Sequence, residues 1–103
     1  AMSHLHAKGI LHGDLYGHNL LVNPDGDCLL SDFGAASFFA PHSALGAALQ
    51  RIEARAFGCL LEELLQRCTA DELQPLWQLQ RRCVSTNLDE RPDFADILDQ
   101  LGV

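Results

Sequence analysis

Three polar side chains suited to metal binding and proton transfer lie in the first third of the sequence. The stretch LHGDLYGHNLLV (residues 11–22) contains Asp14 and, five positions later, Asn19, and the tripeptide Asp32-Phe33-Gly34 follows. Phosphoryl transfer from a nucleotide needs a carboxylate that orients or accepts the proton of the attacking hydroxyl. It also needs oxygen ligands for Mg²⁺, which carboxylates and amides provide. Asp14 suits the first role, and Asn19 and Asp32 suit the second.

A predicted β-hairpin positions these side chains. Apolar runs at 20–22 and 28–30 flank the turn sequence NPDGD, which is typical of two antiparallel strands joined by a tight turn. Antiparallel pairing would bring Asn19 and Asp32, at the two outer ends, close together. Aspartate or asparagine beside glycine is ordinarily turn chemistry, but the spacing and the hairpin together favour a site.

The rest of the chain predicts mainly helices. SHLHAKG is typical of the last turns of a helix that Gly9 ends, and loops are predicted on either side of the hairpin. From about Ala47 a wide apolar stripe with three- and four-residue steps predicts a central helix, in which Gly58 would allow another backbone to approach closely. Two further helices follow, and Asp93 is placed to cap the last one. The predicted fold class is mainly α with a small β-hairpin.

Composition excludes several kinds of partner. The 103 residues carry a net charge of −7, with six scattered arginines and one lysine. Nucleic acids and anionic membranes need clustered basic residues, so neither is expected. We find no apolar run of the roughly eighteen residues that a membrane span needs, and no secretion signal. The four cysteines lack metal-ligand spacing, which predicts mostly buried, reduced thiols in a cytoplasmic protein.

The motifs and their order resemble the protein kinase family. HGDLYGHN is similar to the family's catalytic loop, with the asparagine five positions after the aspartate, and DFG matches its metal-binding motif. RAFGCLLEELL (55–65) resembles the family's central helix, and RRCVSTNLDERPDFADILDQL (81–101) resembles its closing segment. The stretches HGDLYGHNLL and LLSDFGAASFF are most similar to those of bacterial kinase-like domains attached to leucine-rich repeats, although the chain shows no repeat.

The resemblance implies the C-terminal lobe of the kinase fold over residues 1–103. Its parts would be a catalytic loop at 12–19, the hairpin at 20–31, the DFG motif at 32–34, a shortened activation segment at 35–46 and a helical remainder at 47–103. The sequence contains no glycine-rich loop and no strand with an ATP-holding lysine. We therefore expect the N-terminal lobe to be absent, and the fragment alone to be inactive.

The resemblance also implies roles for individual residues. Asp14 would be the catalytic base, and Asn19 and Asp32 would be the Mg²⁺ ligands. Together with Phe33 and Gly34 these two ligands would form the site for the cofactors, ATP and Mg²⁺. The expected partners are ATP, a protein substrate with a Ser or Thr hydroxyl or a small molecule, and the missing N-terminal lobe.

The catalytic loop departs from the family pattern at two positions. Gly13 replaces the arginine that normally grips a phosphate on the activation loop. Tyr16 replaces a lysine that reaches the transferred phosphate, and its loss removes a positive charge from the transition state, although His18 is near enough to substitute in part. Glu53 stands where the central helix usually has an aspartate that bonds the backbone of the catalytic loop.

The short activation segment has further consequences. It lacks the family's Ala-Pro-Glu motif, so Arg91 loses its usual glutamate partner, and we expect Glu53, Glu62 or Glu63 to replace it. Phe38 and Phe39 are expected to cover the core where the longer segment is missing.

Three functions compete on these grounds. The leading one is an ATP-dependent protein kinase acting on serine or threonine. The second is a pseudokinase or interaction module, which Gly13, Tyr16 and the trimmed substrate platform favour. The third is a phosphotransferase of the aminoglycoside or choline type, because those enzymes favour His-Gly-Asp over His-Arg-Asp.

Overall fold

The fold is mostly helical, with two small antiparallel sheets that carry the polar motifs. A computed structural model describes residues 1–69 and 72–102. The helices and strands are, in chain order, α1 (Met2–Ala7), β1 (Ile10–Leu11), β2 (Leu20–Val22), β3 (Cys28–Leu30), β4 (Ser37–Phe38), α2 (Ala44–Gln66), α3 (Gln74–Cys83) and α4 (Phe94–Leu101). Short 3₁₀ turns lie at Gly17–Asn19 and Leu88–Glu90. The predicted fold class is confirmed.

Helix α2 forms the centre of the structure. It begins at Ala44, three residues before the predicted start, because the Ser43 side chain accepts a hydrogen bond from the Gly46 amide at 2.9 Å. Such a cap satisfies a helix donor that has no partner within the helix. Only one side of α2 is buried, since Ile52 and Leu64 are both more than half exposed. The prediction of a central helix is therefore confirmed, but the apolar stripe is buried over less of its width than predicted.

Gly58 lets α3 pack directly on α2, as predicted. A Cβ atom at Gly58 would lie 2.7 Å from the Cβ of Cys83 and 2.8 Å from Cγ1 of Val84. These distances leave no room for a side chain. The buried core extends from this contact, and its hydrophobic members are Met2, Leu15, Ala54, Leu61, Leu65, Leu79, Cys83, Phe94 and Ile97.

The predicted hairpin is present with the predicted strands. β2 and β3 pair antiparallel, with Leu20 opposite Leu30 and Val22 opposite Cys28. The prediction of Gly9 at the end of α1 also holds, since it has a φ of +74°. In the last helix the Asp93 side chain accepts from the Asp96 amide at 2.9 Å and forms a full capping box.

The two predicted loops are not wholly irregular. β1, before the catalytic loop, pairs antiparallel with β4, after the DFG motif, so that Ile10 lies opposite Phe38. Strands of two residues are too short to show an alternating pattern, which explains why the sequence did not reveal them. Because β1 pairs with β4, the whole segment 12–36, which contains the catalytic loop, the hairpin and the DFG motif, begins and ends at this second sheet.

Several side-chain predictions were wrong. Arg91 pairs with no glutamate among the described residues; its Nε donates to the Ser85 carbonyl at 2.7 Å and its Nη1 to the Arg51 carbonyl at 3.3 Å. Phe38 is 88% exposed, so it does not cover the core. Phe39 is half-buried, with its ring against the edge of His6.

Most of the cysteine thiols are exposed. Cys28, Cys59 and Cys68 are exposed and only Cys83 is buried, so the prediction of mostly buried thiols was wrong. All four are free. Within the described ranges, no helix is both long enough and apolar enough to cross a membrane.

Candidate active site

Asn19 ties the two ends of the catalytic loop together. It is 5% exposed, and its Nδ2 donates to the backbone carbonyl of Asp14 at 2.7 Å and to Oδ2 of the same residue at 3.1 Å. The first bond holds the backbone of Asp14 and the second holds its carboxylate, while the residue itself is exposed. Because Nδ2 is used in this way, Oδ1 is the amide atom of Asn19 left to meet a cation.

The hairpin brings Asn19 beside the DFG motif. The Ser31 amide donates to the Asn19 carbonyl at 2.8 Å, and the Ser31 hydroxyl donates to the same oxygen at 2.9 Å. Asp32 follows Ser31 directly, so the predicted closeness of the two hairpin ends is confirmed. These two hydrogen bonds to one carbonyl fix the position of Ser31, and so of Asp32, relative to Asn19.

Asp32 has an unusual backbone conformation. Its φ is +59°, and it is the one non-glycine residue with positive φ in the described ranges. This region costs an L-residue roughly 1 kcal/mol or more. The Gly34 amide donates to Asp32 Oδ1 at 3.2 Å, which offsets part of that cost. The exposed carboxylate keeps its second oxygen for a ligand.

His12 connects the catalytic loop to the residue that precedes the DFG motif. It is fully buried, its Nε2 donates to the Ser31 carbonyl at 2.9 Å, and its Nδ1 accepts from the Asp14 amide at 3.1 Å. These contacts fix the tautomer with the proton on Nε2. The Phe33 ring lies edge-on to the imidazole, with centroids 4.9 Å apart. Phe33 is 48% exposed, so the residue packs on His12 with one side only.

Glu53 anchors the catalytic loop to α2. Its Oε1 accepts from the Gly13 amide at 2.5 Å, and its Oε2 accepts from Nε2 of His6 at 2.6 Å. Burial alone would raise the pKa of this carboxyl, but the hydrogen bonds from His6 and from the Gly13 and His12 amides outweigh it and hold the pKa below its ordinary value. Glu53 therefore replaces the expected aspartate and makes the bond to the loop backbone that the resemblance implies.

Gly13 is required by the geometry of the loop. Its φ is +87°, and a Cβ atom there would collide with the carbonyl oxygen of Ala35 and lie 3.1 Å from the Ala35 Cβ. Any side chain at this position meets both a backbone penalty and a neighbour that is main chain. The absence of the family's arginine thus has a local structural reason.

The donor set fits Mg²⁺ better than it fits a closed protein metal site. Among the residues described, no three His, Cys, Asp or Glu side chains cluster in a way that could hold a metal ion. Mg²⁺ in phosphoryl-transfer sites uses one or two protein oxygens and takes its other ligands from water and phosphate. Asn19 Oδ1 and the free oxygen of Asp32 are donors of that kind.

The structure therefore brings Asp14 and Asn19 together at one end of the hairpin, and Asp32, Phe33 and Gly34 follow its last strand at that same end. Sequence reasoning missed two supporting residues, His6 and Ser31. A histidine in a short helix gives no sign of its partner 47 positions away. Ser31 could have been found, because it is the residue next to the last hairpin strand.

Comparisons with known proteins point to kinases. No protein-family model matches the chain. It is 34% identical over 79 residues to human 3-phosphoinositide-dependent protein kinase 1, covering 77% of this chain and 14% of that protein. It is 54% identical over 39 residues to the Arabidopsis thaliana serine/threonine-protein kinase AtPK1/AtPK6, covering 38% of this chain and 8% of that protein.

A Toxoplasma relative covers more of the chain. The serine/threonine-protein kinase WNG1 of Toxoplasma gondii is 27% identical over 113 aligned positions, covering 92% of this chain and 18% of that protein. The chain thus spans 8 to 18% of the length of these curated relatives.

A solved structure supports the fold. It is that of a divergent Toxoplasma kinase lacking the glycine-rich loop, which regulates membrane ultrastructure of the parasitophorous vacuole. The likeness has a TM-score of 0.75 at 23% identity and covers 97% of this chain and 37% of that chain. The chain is therefore homologous to protein kinases, and its fold is that of part of a kinase, consistent with a C-terminal lobe.

Proposed function

We propose that these residues are the C-terminal lobe of an ATP-dependent protein kinase, which transfers the γ-phosphate of ATP to a Ser or Thr hydroxyl. The observation that carries the proposal is the bonding of Asn19 to Asp14 at one end of the hairpin, directly beside the strand end that leads into Asp32. This bonding supports a shared role for the three groups, which phosphoryl transfer would need together.

Each residue has a separate task in this proposal. Asp14, held by Asn19, orients the substrate hydroxyl and accepts its proton. Asn19 Oδ1 and Asp32 would hold Mg²⁺, which when bound neutralises charge on the phosphate oxygens. The left-handed backbone of Asp32 turns its carboxylate outward, and Gly34 holds one oxygen of that carboxylate. The protein's contribution is positioning and electrostatics, as expected for this reaction.

An apolar face of the hairpin suits the base of a nucleotide. Leu21 and Leu29 lie opposite each other across β2 and β3, and they are 58% and 67% exposed. Residues directly opposite in an antiparallel pair lie on the same face. This apolar pair lies in the same hairpin as the polar end formed by Asn19. A flat aromatic base against the leucines would leave its phosphates toward that polar end.

The remaining nucleotide contacts would come from a second lobe. The described residues offer the polar end and one apolar face but no lysine beside them, since Lys8 lies at the end of α1. We therefore propose that the 103-residue chain alone does not transfer phosphate. The Toxoplasma structural relative is a kinase without the glycine-rich loop, so the proposal does not require that element. A cytoplasmic location and an association with bacterial leucine-rich-repeat proteins remain predictions from the sequence.

A pseudokinase is the second candidate. Tyr16, at the position where the resemblance implies a lysine, packs against His18 with ring centroids 5.3 Å apart. If the phosphate lies where the resemblance implies, it would meet this aromatic pair and not a cation. A small-molecule phosphotransferase is the third candidate, which the His-Gly-Asp sequence favours.

Nucleotide binding tests the proposal without the need for a substrate. ATP would be titrated into the longest natural form of the polypeptide by calorimetry, with and without Mg²⁺. We expect Mg²⁺-dependent binding that Asp32→Asn weakens and that Asp25→Asn, in the exposed hairpin turn, leaves unchanged. An affinity for ATP that changes neither on removal of Mg²⁺ nor in Asp32→Asn would refute the assigned roles. The chemical nature of any labelled acceptor then separates the protein kinase from the small-molecule enzyme, and Mg²⁺-dependent binding without transfer would identify the pseudokinase.

A further inference from the structure

A polar cavity without any hairpin residue in its lining lies beside the first turns of α2. It has a volume of about 340 Å³, is open to solvent on one side, and is lined by α1, the segment before α2, the first turns of α2 and the start of α4. Its polar lining consists of Ser3, His6, His42, Gln50, Arg51 and Asp93. Of these residues only His6, through its hydrogen bond to Glu53, also supports the candidate active site.

Arg51 presents a guanidinium that is fixed but not paired. Its Nε donates to the Arg91 carbonyl at 3.2 Å and its Nη1 to the Ala47 carbonyl at 3.3 Å. In the part of the chain that the structure describes, no carboxylate lies within ion-pair distance of it. A guanidinium held in this way is preorganised for a carboxylate or phosphate group, because little side-chain entropy remains to be lost on binding.

His6 provides a second, independent indication of a ligand. It is 4% exposed, and its Nδ1 is the one buried side-chain polar atom in the described residues that has no hydrogen-bond partner. Buried polar atoms are rarely left without a partner. The imidazole is held between the rings of Phe39 and Phe94, at centroid distances of 5.8 and 5.1 Å. It cannot turn to find a partner elsewhere.

The lining of the cavity offers hydrogen-bond donors to an anion. Arg51 and His42 face the cavity as donors, and Asp93 is the one carboxylate in its lining. One oxygen of Asp93 is already used to cap α4. On its other side, His6 donates to Glu53. An oxyanion that enters together with a proton would place that proton between its own oxygen and His6 Nδ1, and its remaining oxygens would accept from Arg51.

We infer that this cavity binds a small oxyanion, a carboxylate or a phosphate group, and that its occupancy is transmitted through His6 and Glu53 to the backbone of Gly13. The connection consists of two short hydrogen bonds, from His6 Nε2 to Glu53 Oε2 at 2.6 Å and from the Gly13 amide to Glu53 Oε1 at 2.5 Å. Gly13 precedes Asp14 directly. The cavity is thus an effector site whose signal ends at the catalytic loop.

Titration with two probes tests the inference. Sodium phosphate and sodium acetate would be added separately to the ¹⁵N-labelled protein, without nucleotide or Mg²⁺ and at constant ionic strength. The signals followed are the Gly13 amide and the His6 imidazole nitrogens. We expect saturable shifts at both residues with at least one probe. A response to phosphate alone assigns a phosphate group, and an equal response to acetate assigns a carboxylate.

Three variants keep the test specific. Arg51→Met should weaken binding by at least about tenfold, since it removes a charge-assisted hydrogen bond donor. His42→Ala should weaken it by about threefold, and because His42 is exposed the fold should be unaffected. His4→Ala, exposed on α1 outside the cavity, is the matched control. If Arg51→Met fails to fold, His42→Ala decides the result.

Three outcomes would overturn the inference. The first is no saturable shift with either probe. The second is unchanged affinity in His42→Ala and Arg51→Met, which would place binding elsewhere. The third is saturation of the His6 signal while the Gly13 amide stays still, which would deny the connection to the loop. Because nucleotide and Mg²⁺ are absent, each outcome is independent of the proposed kinase activity.

Discussion

Glu53 Oε1 lies 2.5 Å from the Gly13 amide, so a carboxylate in the middle of α2 holds the backbone that precedes Asp14. The same carboxylate accepts from His6 at 2.6 Å, so both of its oxygens are used. A buried charge is tolerated when it is paired and hydrogen-bonded in this way. The catalytic loop is thereby fixed to α2 and the helical core.

This arrangement predicts a pH-dependent contribution to stability. The pKa of Glu53 is lowered in the folded state, with the hydrogen bonds from His6 and the Gly13 and His12 amides outweighing the opposing effect of burial. A lowered carboxyl pKa stabilises the fold above the unfolded value, near 4.5, and this contribution is lost as pH falls through the folded value. Glu53→Gln should reduce the free energy of unfolding by about 1–3 kcal/mol at pH 7.

Urea unfolding at several pH values measures this effect. The difference between the wild type and Glu53→Gln should be full at pH 7 and should narrow below pH 4.5. Glu63→Gln, at an exposed position of α2, should change neither value. A difference that stays constant between pH 7 and pH 3 would contradict the role assigned to Glu53.

Gly13 and Gly26 form a matched pair for measuring the crowding of the catalytic loop. Both have a φ of +87°, but a Cβ at Gly26 has nothing within 4 Å, whereas one at Gly13 meets Ala35. Gly26→Ala should cost about 1–2 kcal/mol from backbone strain alone. Gly13→Ala should cost about 2–5 kcal/mol, because overpacking is added. Equal costs in denaturant unfolding would show that Ala35 does not exclude a side chain.

Asn19 should be far more important for stability than a comparable asparagine on the surface. Asn19→Ala removes two hydrogen bonds from a buried position and should cost about 2 kcal/mol. Asn23→Ala, in the exposed hairpin turn, removes bonds to Asp27 and should cost about 0.5 kcal/mol. Chemical denaturation of the two variants gives both values. Similar losses would argue against Asn19 as the residue that holds the loop.

The four thiols should react in two classes. Burial raises the pKa of Cys83 to about 11, whereas Cys28, Cys59 and Cys68 are exposed. Since the thiolate is the reactive form, a thiol reagent at pH 8 should modify three cysteines in the native protein and a fourth only in denaturant. Cys83→Ala should leave the native count at three. Rapid modification of all four native thiols would contradict the burial of Cys83.

The contrast between what the sequence predicted and what it missed has a physical cause. The closeness of Asn19 and Asp32 could be predicted, because a tight turn fixes the register of a hairpin. Asp93 could be recognised because capping is a local interaction. The pairing of Ile10 with Phe38 could not be foreseen, since strands of two residues carry no periodic pattern.

Side-chain partners across long separations were equally hidden. Arg91 was expected to bind a glutamate, but it bonds two backbone carbonyls instead. The guanidinium has five donors, and main-chain oxygens can accept from them without any carboxylate. His6 gave no signal at all, because its partner is set by the packing of α1 on the rest of the fold. Tertiary contacts of this kind determine which residues support Asp14, Asn19 and Asp32, and a sequence pattern does not reveal them.

Phosphate transfer in the presence and absence of the Asp14 carboxylate tests the central claim most directly. The longest natural form of the polypeptide and its Asp14→Asn variant would each be incubated with Mg²⁺ and γ-labelled ATP, and label on Ser and Thr would be measured. We predict labelling by the wild type and a loss of about 10²–10⁴-fold in the variant, the contribution typical of a positioned proton acceptor. No labelling by the wild type, or equal labelling by both forms, would contradict the proposal.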